Sequence, residues 1–424
     1  MSPPVTRRPR VTGEAHEERA RVTPSKEQAG LHGLCLTNLV HYPRLQGIDL
    51  SDVDECLDTF VRAQQSRSPG ARDHGAALWN EVLDHTRSGK RLRSRLVLLS
   101  AGTVSGALPV AAAYGLLHAS FILHDDVIDR DDMRYGRPSL HAAHAADAAA
   151  RGMPAEHATH RGYTRSILAG DLALGAAYRL LLSGTEDLEA PVREQVLRIF
   201  HDTVVTTTLG ELLDVELSLD RDAIPSPAAS ADSDCPPAVA GASATASSAT
   251  VGTTDPCQDA LLTAEMKTAV YTFQAPLMSG ALLAGLGPEQ VEAAGRIGTH
   301  LGLAYQLEDD VQGVFGDQES TGKPVGGDLR EGKHTHLMAT ALTTTSAPEV
   351  RDLLHQAALS DDGRLVEITA AMRDLLTRSG ALAATTAQIR ANAEAALGLL
   401  DSTPLPEPLA STLSSLAEQI GGPR

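Results

Sequence analysis

Apolar positions in this chain recur mostly at helical spacing. From Ser51, the residues Val53, Cys56, Leu57, Phe60 and Val61 fall at i, i+3 and i+4 intervals, the signature of one face of an amphipathic helix. Asp54, three residues after Ser51, reads as a capping-box variant. A second stripe, Leu78, Trp79, Val82 and Leu83, predicts the next helix. Residues 96–123 then run without a single Lys, Arg, Asp or Glu. Such a run is long enough to cross a membrane, but Gly102, Gly106 and Pro109 interrupt it, so two buried helices joined by a turn are expected. More apolar helices are expected from Ile167, around 206–217, around 303–310 and over 348–420. Residues 141–162 hold His141, His144, His157 and His160 among Ala, Gly and Pro. The spacing of the first two would allow metal ligation, and a connecting loop is the expectation.

Two stretches lack this periodicity. Residues 1–45 are rich in charge, Pro and Thr, and 221–258 reduce to Ala, Ser, Thr, Pro, Gly and Asp. Neither can bury enough apolar surface to offset its ordering entropy. The expected organisation is a mobile tail, 1–45, and one domain, 46–424, interrupted by a disordered insertion, 221–258. An apolar patch at 34–40 either packs on the body or meets a partner, and a protein partner is expected to bind through 1–45 or 221–258.

Composition narrows the fold. Hydrophobic residues make up 42% but aromatics only 3%, so the core must be Ala, Leu and Val, which favours packed helices over a sheet sandwich. An all-α fold, a single large helical bundle, is expected. The net charge of −18 argues against nucleic acid or an anionic membrane surface as the main partner. Cys35, Cys56, Cys235 and Cys257 show no CxxC spacing, and three fall in segments expected to be disordered, so neither a zinc site nor a disulfide framework is indicated. Arg7, Arg8 and Arg10 have no apolar region behind them, so no secretory signal is read. A cytoplasmic protein without a membrane span is expected.

The candidate chemistry follows the apolar run. After Leu123 come Asp125, Asp126, Asp129, Asp131 and Asp132, five carboxylates within eight residues. On a helix Asp125 and Asp129 share a face, with Asp126 beside them. Carboxylates so crowded repel unless a cation lies between them, and hard oxygens at this density suit Mg²⁺. A solvated acidic helix end is the plainer alternative. Against it stands a second acidic pair in a matching context, Tyr305-Gln306-Leu307-Glu308-Asp309-Asp310, and a basic turn, Gly89-Lys90-Arg91-Leu92-Arg93, ahead of the first cluster.

In these motifs the sequence resembles the trans-isoprenyl diphosphate synthases, the family of farnesyl and geranylgeranyl diphosphate synthases. Their first motif is DDxxD with an Arg-rich turn, and their second is FQxxDDxxD. The resemblance implies an isoprenoid-synthase type bundle with the two motifs facing a central cavity. It implies Mg²⁺, three ions with diphosphate bound, on Asp125, Asp126, Asp129, Asp309 and Asp310. Lys90 and Arg93 match a GKRxRP turn that grips isopentenyl diphosphate, and His118 matches a histidine touching the same group. Arg134, Lys267 and Lys323 match ligands of diphosphate. Thr268, after Lys267, and Gln306 would turn negative dipole ends to an allylic cation. Ile167 to Asp171 match an LAGD segment. Four departures stand out: Ser94 for Pro, Tyr135 for the second arginine after the first motif, Glu211 for Gln in GQxxD, and Gly313 where the third Asp of the second motif would fall.

The implied activity is head-to-tail condensation of isopentenyl diphosphate with an allylic diphosphate by a homodimeric prenyltransferase. Ser120 and Phe121, five and four residues before Asp125, would meet the tail of the growing chain, and the small Ser120 points to a twenty-carbon product. A terpene cyclase on the same bundle is one alternative, towards which Tyr135 leans and from which Lys90 and Arg93 lean away. The others are a non-catalytic partner subunit and a synthase-like protein whose disordered segments serve as partner-binding or cargo tags.

Overall fold

The structure, a computed structural model, describes residues 45, 47–67, 72–104, 106–219, 255–316 and 326–422. The tail as far as residue 44, the apolar patch at 34–40, most of the insertion and Lys323 lie outside the described residues. The described chain is all-α apart from one two-residue ribbon.

Helix α1, Ser51–Arg67, starts where Asp49 accepts the Ser51 backbone N–H at 2.9 Å and the Ser51 hydroxyl at 2.8 Å. Its buried stripe is Val53, Leu57 and Val61. Asp54 is not a capping partner of Ser51. It binds Arg87 at 3.3 Å and Arg91 at 2.8 Å, because two guanidiniums outbid a backbone N–H already served by Asp49. Helix α2 is Arg72–Arg87. The long apolar run does split in two, α3 at Leu92–Ala101 and α4 at Ala107–Ile128, through a turn in which Gly102 and Gly106 have φ of 66° and 85°. By length and composition α4 and a later helix would each span a membrane, yet 67% of the apolar window of α4 is buried within the protein.

After α4 the ribbon of β1, Met133–Arg134, and β2, Arg137–Pro138, pairs Arg134 with Arg137. The two residues between them, Tyr135 and Gly136, both have positive φ, 53° and 72°, the backbone of a tight type I′ hairpin. The segment expected to be a histidine-bearing loop is instead helix α5, Leu140–Ala150, and the start of α6, Ala155–Gly184. Alanine is the best helix former, Ser139 caps α5, and only Arg151 to Pro154 break the helix. The two histidines have protein partners: His141 Nε2 meets the Asp131 carbonyl at 2.9 Å, and His144 pairs with Glu81 at 3.1 Å.

Helix α7, Ala190–Leu219, is longer than its apolar pattern predicted. Helix α8, Pro256–Ala264, takes Asp255 as N-cap and Pro256 at its first turn. Residues 255–258 therefore belong to the domain, and Cys257 is buried in it, contrary to the expected insertion boundary. The Cys257 thiol lies 3.7 Å from the Thr340 hydroxyl. Next comes a widened, π-helical segment, Glu265–Gln274, running into α9, Ala275–Leu283. Pro276 has no N–H to return to the preceding turn, so the ladder ahead of it is disturbed. Helix α10, Pro288–Phe315, is followed by α11 (Gly327–Glu331), α12 (His336–Leu342), α13 (Ala347–Ala358), α14 (Asp362–Arg378), α15 (Ala381–Ser402) and α16 (Leu409–Gly421).

The core is built as composition required. Leu96, Leu116, Leu117, Leu123, Leu181 and Leu277 are fully buried with Tyr114, Phe200 and Phe273. Helix α4 packs along α6, and α10 packs along both the π-helical segment and α15. Both aspartate motifs therefore sit at the C-terminal ends of buried helices.

Candidate active site

Carboxylates at the C-terminal end of a helix face the negative pole of its dipole. Asp125, Asp126 and Asp129 at the end of α4 thus need cations, and three separate elements deliver them. The type I′ hairpin folds Arg134 back onto the helix. Its Nε donates to Asp126 Oδ1 at 2.6 Å, and its Nη2 lies 2.9 Å from Asp125 Oδ2 and 3.0 Å from Asp131 Oδ2. Burial opposes the Arg134 charge, but Asp125, Asp126 and Asp131 outweigh it and hold the proton more firmly than usual. The π-helical segment brings Lys267 Nζ to 2.6 Å from Asp214, 2.9 Å from Glu211 and 3.4 Å from Asp125. The loop after α11 brings Lys333 Nζ to 3.0 Å from Glu331 and 3.2 Å from Asp129. For both lysines burial favours the neutral form and the surrounding carboxylates win, so both stay charged.

Glu211 and Lys267 meet because Gly210 lets α7 touch the π-helical segment. A Cβ at 210 would stand 2.5 Å from the Lys267 backbone nitrogen. One ligand oxygen each from Asp125, Asp129 and Glu211 lie within 4.8 Å of one another, a group able to hold a metal ion. Hard oxygens with lysines and an arginine pinning them fit Mg²⁺. Asp126 is placed differently: it is fully buried, and its Oδ1 is held by Arg134. Burial, ahead of the other influences, pushes Asp129 above the usual carboxylate range and Glu211 up to about 7.

The second motif is arranged otherwise. Asp309 is exposed, whereas Asp310 is buried and accepts from Gln306 Nε2 at 2.7 Å. That bond orients the amide oxygen of Gln306 away from the carboxylate. Burial first, then crowding by Asp328, Asp309 and Asp214, raises Asp310 well above the ordinary Asp value. At Gly313, a Cβ would be 2.0 Å from Asp328 Oδ2. The carboxylate of Asp328 fills the space that a third Asp of the motif would enter.

A basic and aromatic pocket adjoins both motifs. Arg93 donates from Nη1 to His118 Nε2 at 3.2 Å and from Nη2 to Thr272 Oγ1 at 2.6 Å, and its Cζ lies 4.4 Å from the Tyr271 ring centre. Arginine can only donate, so His118 Nε2 is the acceptor. Burial, with Arg93 and Arg134 nearby, keeps His118 neutral, far below its usual pKa. Burial also lowers Lys90, while Asp309 and Glu308 partly restore it, so the basic turn faces the second motif. Tyr135, in place of an arginine, lays its ring on Gly89, where a Cβ would be 3.0 Å from Cζ. Phe121 stacks edge-on against Tyr271 at 5.2 Å, and Ser120 beside it is fully buried. Thr268 is half-buried next to Lys267. At the matched LAGD segment, His124 Nε2 meets the Ile167 carbonyl at 3.3 Å.

Of the residues expected from sequence, Asp125, Asp129, Arg134 and Lys267 are thus drawn into one cage, Arg93 and His118 into the adjoining pocket, and Asp309 and Asp310 onto α10 beside it. The cage also contains Asp214 and Lys333 together with Glu211, which the motifs had noted only as a departure from GQxxD, and the pocket contains Tyr271 and Thr272, which sequence reasoning missed. Tyr271 and Thr272 lie four and five residues after Lys267, and helical spacing from Lys267 is the signal that could have found Tyr271.

The sequence pattern of the polyprenyl synthetase family matches residues 77–375. A geranylfarnesyl diphosphate synthase of Aeropyrum pernix is 27% identical over 325 residues, 74% of this chain and 84% of that protein. A geranylgeranyl diphosphate synthase of Mycobacterium tuberculosis is 30% identical over 301 residues, 69% and 71% of the two chains. Among solved structures, geranylgeranyl pyrophosphate synthase from Corynebacterium glutamicum, complexed with isoprenyl diphosphate and magnesium, superposes with a TM-score of 0.69 at 26% identity, covering 89% of this chain and 100% of that one. With its motifs, bundle and acidic cage in agreement with that match, this chain belongs to the polyprenyl synthetase family.

Proposed function

We propose that this enzyme condenses isopentenyl diphosphate head to tail with an allylic diphosphate, and that its product is the twenty-carbon geranylgeranyl diphosphate. The observation that carries this reading is the pocket of Arg93, His118 and Thr272 beside the acidic cage. A cyclase needs one diphosphate site; an elongating synthase needs a second, cationic one. The relatives named as geranylgeranyl and geranylfarnesyl synthases support a short-chain product.

Mg²⁺, three ions with diphosphate bound, would be held by Asp125 and Asp129, with Asp126 buried behind them on Arg134, on one side and by Asp309 and Asp310 on the other, neutralising the leaving diphosphate. Lys267, Arg134 and Lys333, charged throughout the working pH range, add to that neutralisation. Lys323 is assigned to the same group from its motif. Arg93 offers paired donors to isopentenyl diphosphate, Lys90 a point charge, and neutral His118 a hydrogen bond. As the C–O bond of the allylic substrate ionises, the Thr268 hydroxyl and the Gln306 amide oxygen turn negative dipole ends to the cation. The alkene of isopentenyl diphosphate attacks, and the departing pyrophosphate takes the proton. The apolar wall around Ser120 and Phe121 keeps water from the cation.

The enzyme is proposed to act as a cytoplasmic homodimer. Val205, Leu209 and Leu212 on α7, with Ile167, Leu168 and Leu182 on α6, are exposed apolar side chains, and the first three fall at i, i+4, i+7. A second copy would cover them. The test of the whole reading is incubation with Mg²⁺, isopentenyl diphosphate and each allylic diphosphate in turn, followed by sizing of the products. A linear twenty-carbon diphosphate is expected; cyclic product from a prenyl diphosphate alone would overturn the reading.

A further inference from the structure

Glu211 stands apart from the other acids of the cage. It comes from α7 rather than from an aspartate motif, and the close approach at Gly210 presses it against Lys267. Its Oε2 is 2.9 Å from Lys267 Nζ, while its Oε1 is buried and takes no hydrogen bond. Asp126, fully buried behind the same cluster, likewise has an Oδ2 without a hydrogen-bond partner. Lys267 cannot satisfy the cluster alone, since its nearest partner is Asp214 at 2.6 Å and Asp125 is as far as 3.4 Å. Three carboxylates from two helices converge within 4.8 Å, and a glutamine at 211 would bring one negative charge fewer.

We propose that Glu211 is a third protein ligand of the divalent ion at the first aspartate motif, so that this ion binds the enzyme before any diphosphate arrives. The inference rests on the prenyl-transfer reading only in taking the ion to be a hard divalent cation. Mg²⁺ normally finds one or two protein carboxylates and completes its shell with phosphate oxygens and water. Three carboxylates more than balance its charge without the substrate. Lys267 and the ion compete for the same oxygens. With the ion in place Lys267 keeps Asp214, and its remaining donors turn to the incoming diphosphate.

Mn²⁺ is a suitable probe, because the free ion can be counted by electron paramagnetic resonance. It would be titrated into the substrate-free full chain, as wild type, Glu211→Gln and Glu211→Asp, with circular dichroism as the check on folding. Glu211→Gln keeps the size of the side chain; Glu211→Asp keeps its charge. The wild type is expected to bind Mn²⁺ without diphosphate, Glu211→Gln at least tenfold more weakly and Glu211→Asp between the two, with Mg²⁺ competing. Equal affinity in wild type and Glu211→Gln overturns the proposal, as does failure of the wild type to bind Mn²⁺ unless diphosphate is added. A rise in KM for the allylic substrate in Glu211→Gln at unchanged Mn²⁺ affinity also overturns it, leaving Glu211 as a partner of Lys267 alone. Each of these results is compatible with normal elongation by the wild type, so the loss of this inference would leave the proposed reaction standing.

Discussion

The first aspartate motif meets its cations within the protein: Arg134, Lys267 and Lys333 each lie within 3.5 Å of one of its carboxylates. The second motif is built from different means. Asp309 faces solvent, Asp310 is buried and held by the neutral amide of Gln306, and Asp328 comes from another element to occupy the space beside Gly313. Both motifs end buried helices, so the difference lies in what the neighbouring elements bring. The first half-site is preassembled by charge. The second draws on α11, which carries Asp328, while Lys333 just after that helix pairs with Asp129 of the first motif, so this one segment touches both half-sites.

Breaking the first half-site should have the largest effect. Arg134→Met leaves Asp126 charged and fully buried, and an uncompensated buried charge of this kind costs roughly 3–5 kcal/mol. The denaturation midpoint should fall accordingly; a loss below about 1 kcal/mol would mean that Asp126 takes up a proton instead. Next come the two metal positions. Asp125→Ala and Asp309→Ala should each lower kcat/KM by more than about 100-fold. Asp309→Ala should do so with its melting temperature nearly unchanged, since the side chain is exposed. If Asp309→Ala stayed within tenfold of wild type, the first half-site would be sufficient and the comparison would fail.

The segment of Asp328 and Lys333 can be tested by acid. His336 opens α12 just behind it, is buried, and bonds Thr385 at 3.0 Å. Burial, slightly offset by Asp255, takes its pKa down to about 4. The unfolded chain, with a histidine pKa of about 6.5, binds more protons between these values. The stability His336 contributes is therefore complete above about pH 6.5 and is lost as pH falls towards 4, by up to about 3 kcal/mol. The difference in unfolding free energy between wild type and His336→Gln should follow that window; a flat difference would show that folding leaves the proton affinity of His336 unchanged.

Gly313→Asp sharpens the comparison by restoring the family pattern. Because Asp328 Oδ2 would lie 2.0 Å from the new Cβ, the change should lower activity about tenfold, the scale of an overpacked site. A gain in activity would show that Asp328 is readily displaced. The smallest effect is expected at the rim, where Tyr135 is 52% exposed. Tyr135→Arg should lower KM for isopentenyl diphosphate about tenfold, the strength of one charge-assisted phosphate contact. An unchanged KM would place position 135 outside the isopentenyl site.

Much of this was legible without coordinates. The helix stripes, the turn at Gly102 and Gly106, the aspartate motifs, and the Lys90–Arg93 and Lys267–Thr268 segments were all read from sequence. The errors have local causes. Asp54 was assigned to a cap because its distant partners, Arg87 and Arg91, do not show in a four-residue window. The histidine segment was read as a loop because Gly152 and Pro154 drew more weight than the run of alanines before them. The insertion was carried three residues too far into α8, although Asp255 and Pro256 together spell a helix start.

The sequence by itself determined the helices, the positions of the carboxylates and the family, because helical periodicity and motif order depend on residues close together in the chain. Which cation neutralises which carboxylate was decided only by the tertiary structure. Coulomb energy depends on separation and burial, and these follow from how closely two helices approach. Gly210 allows Glu211 to reach Lys267, the hairpin at Tyr135 and Gly136 returns Arg134 to Asp126, and the absence of a side chain at Gly313 admits Asp328. Each of these pairings joins residues whose partnership no local pattern encodes.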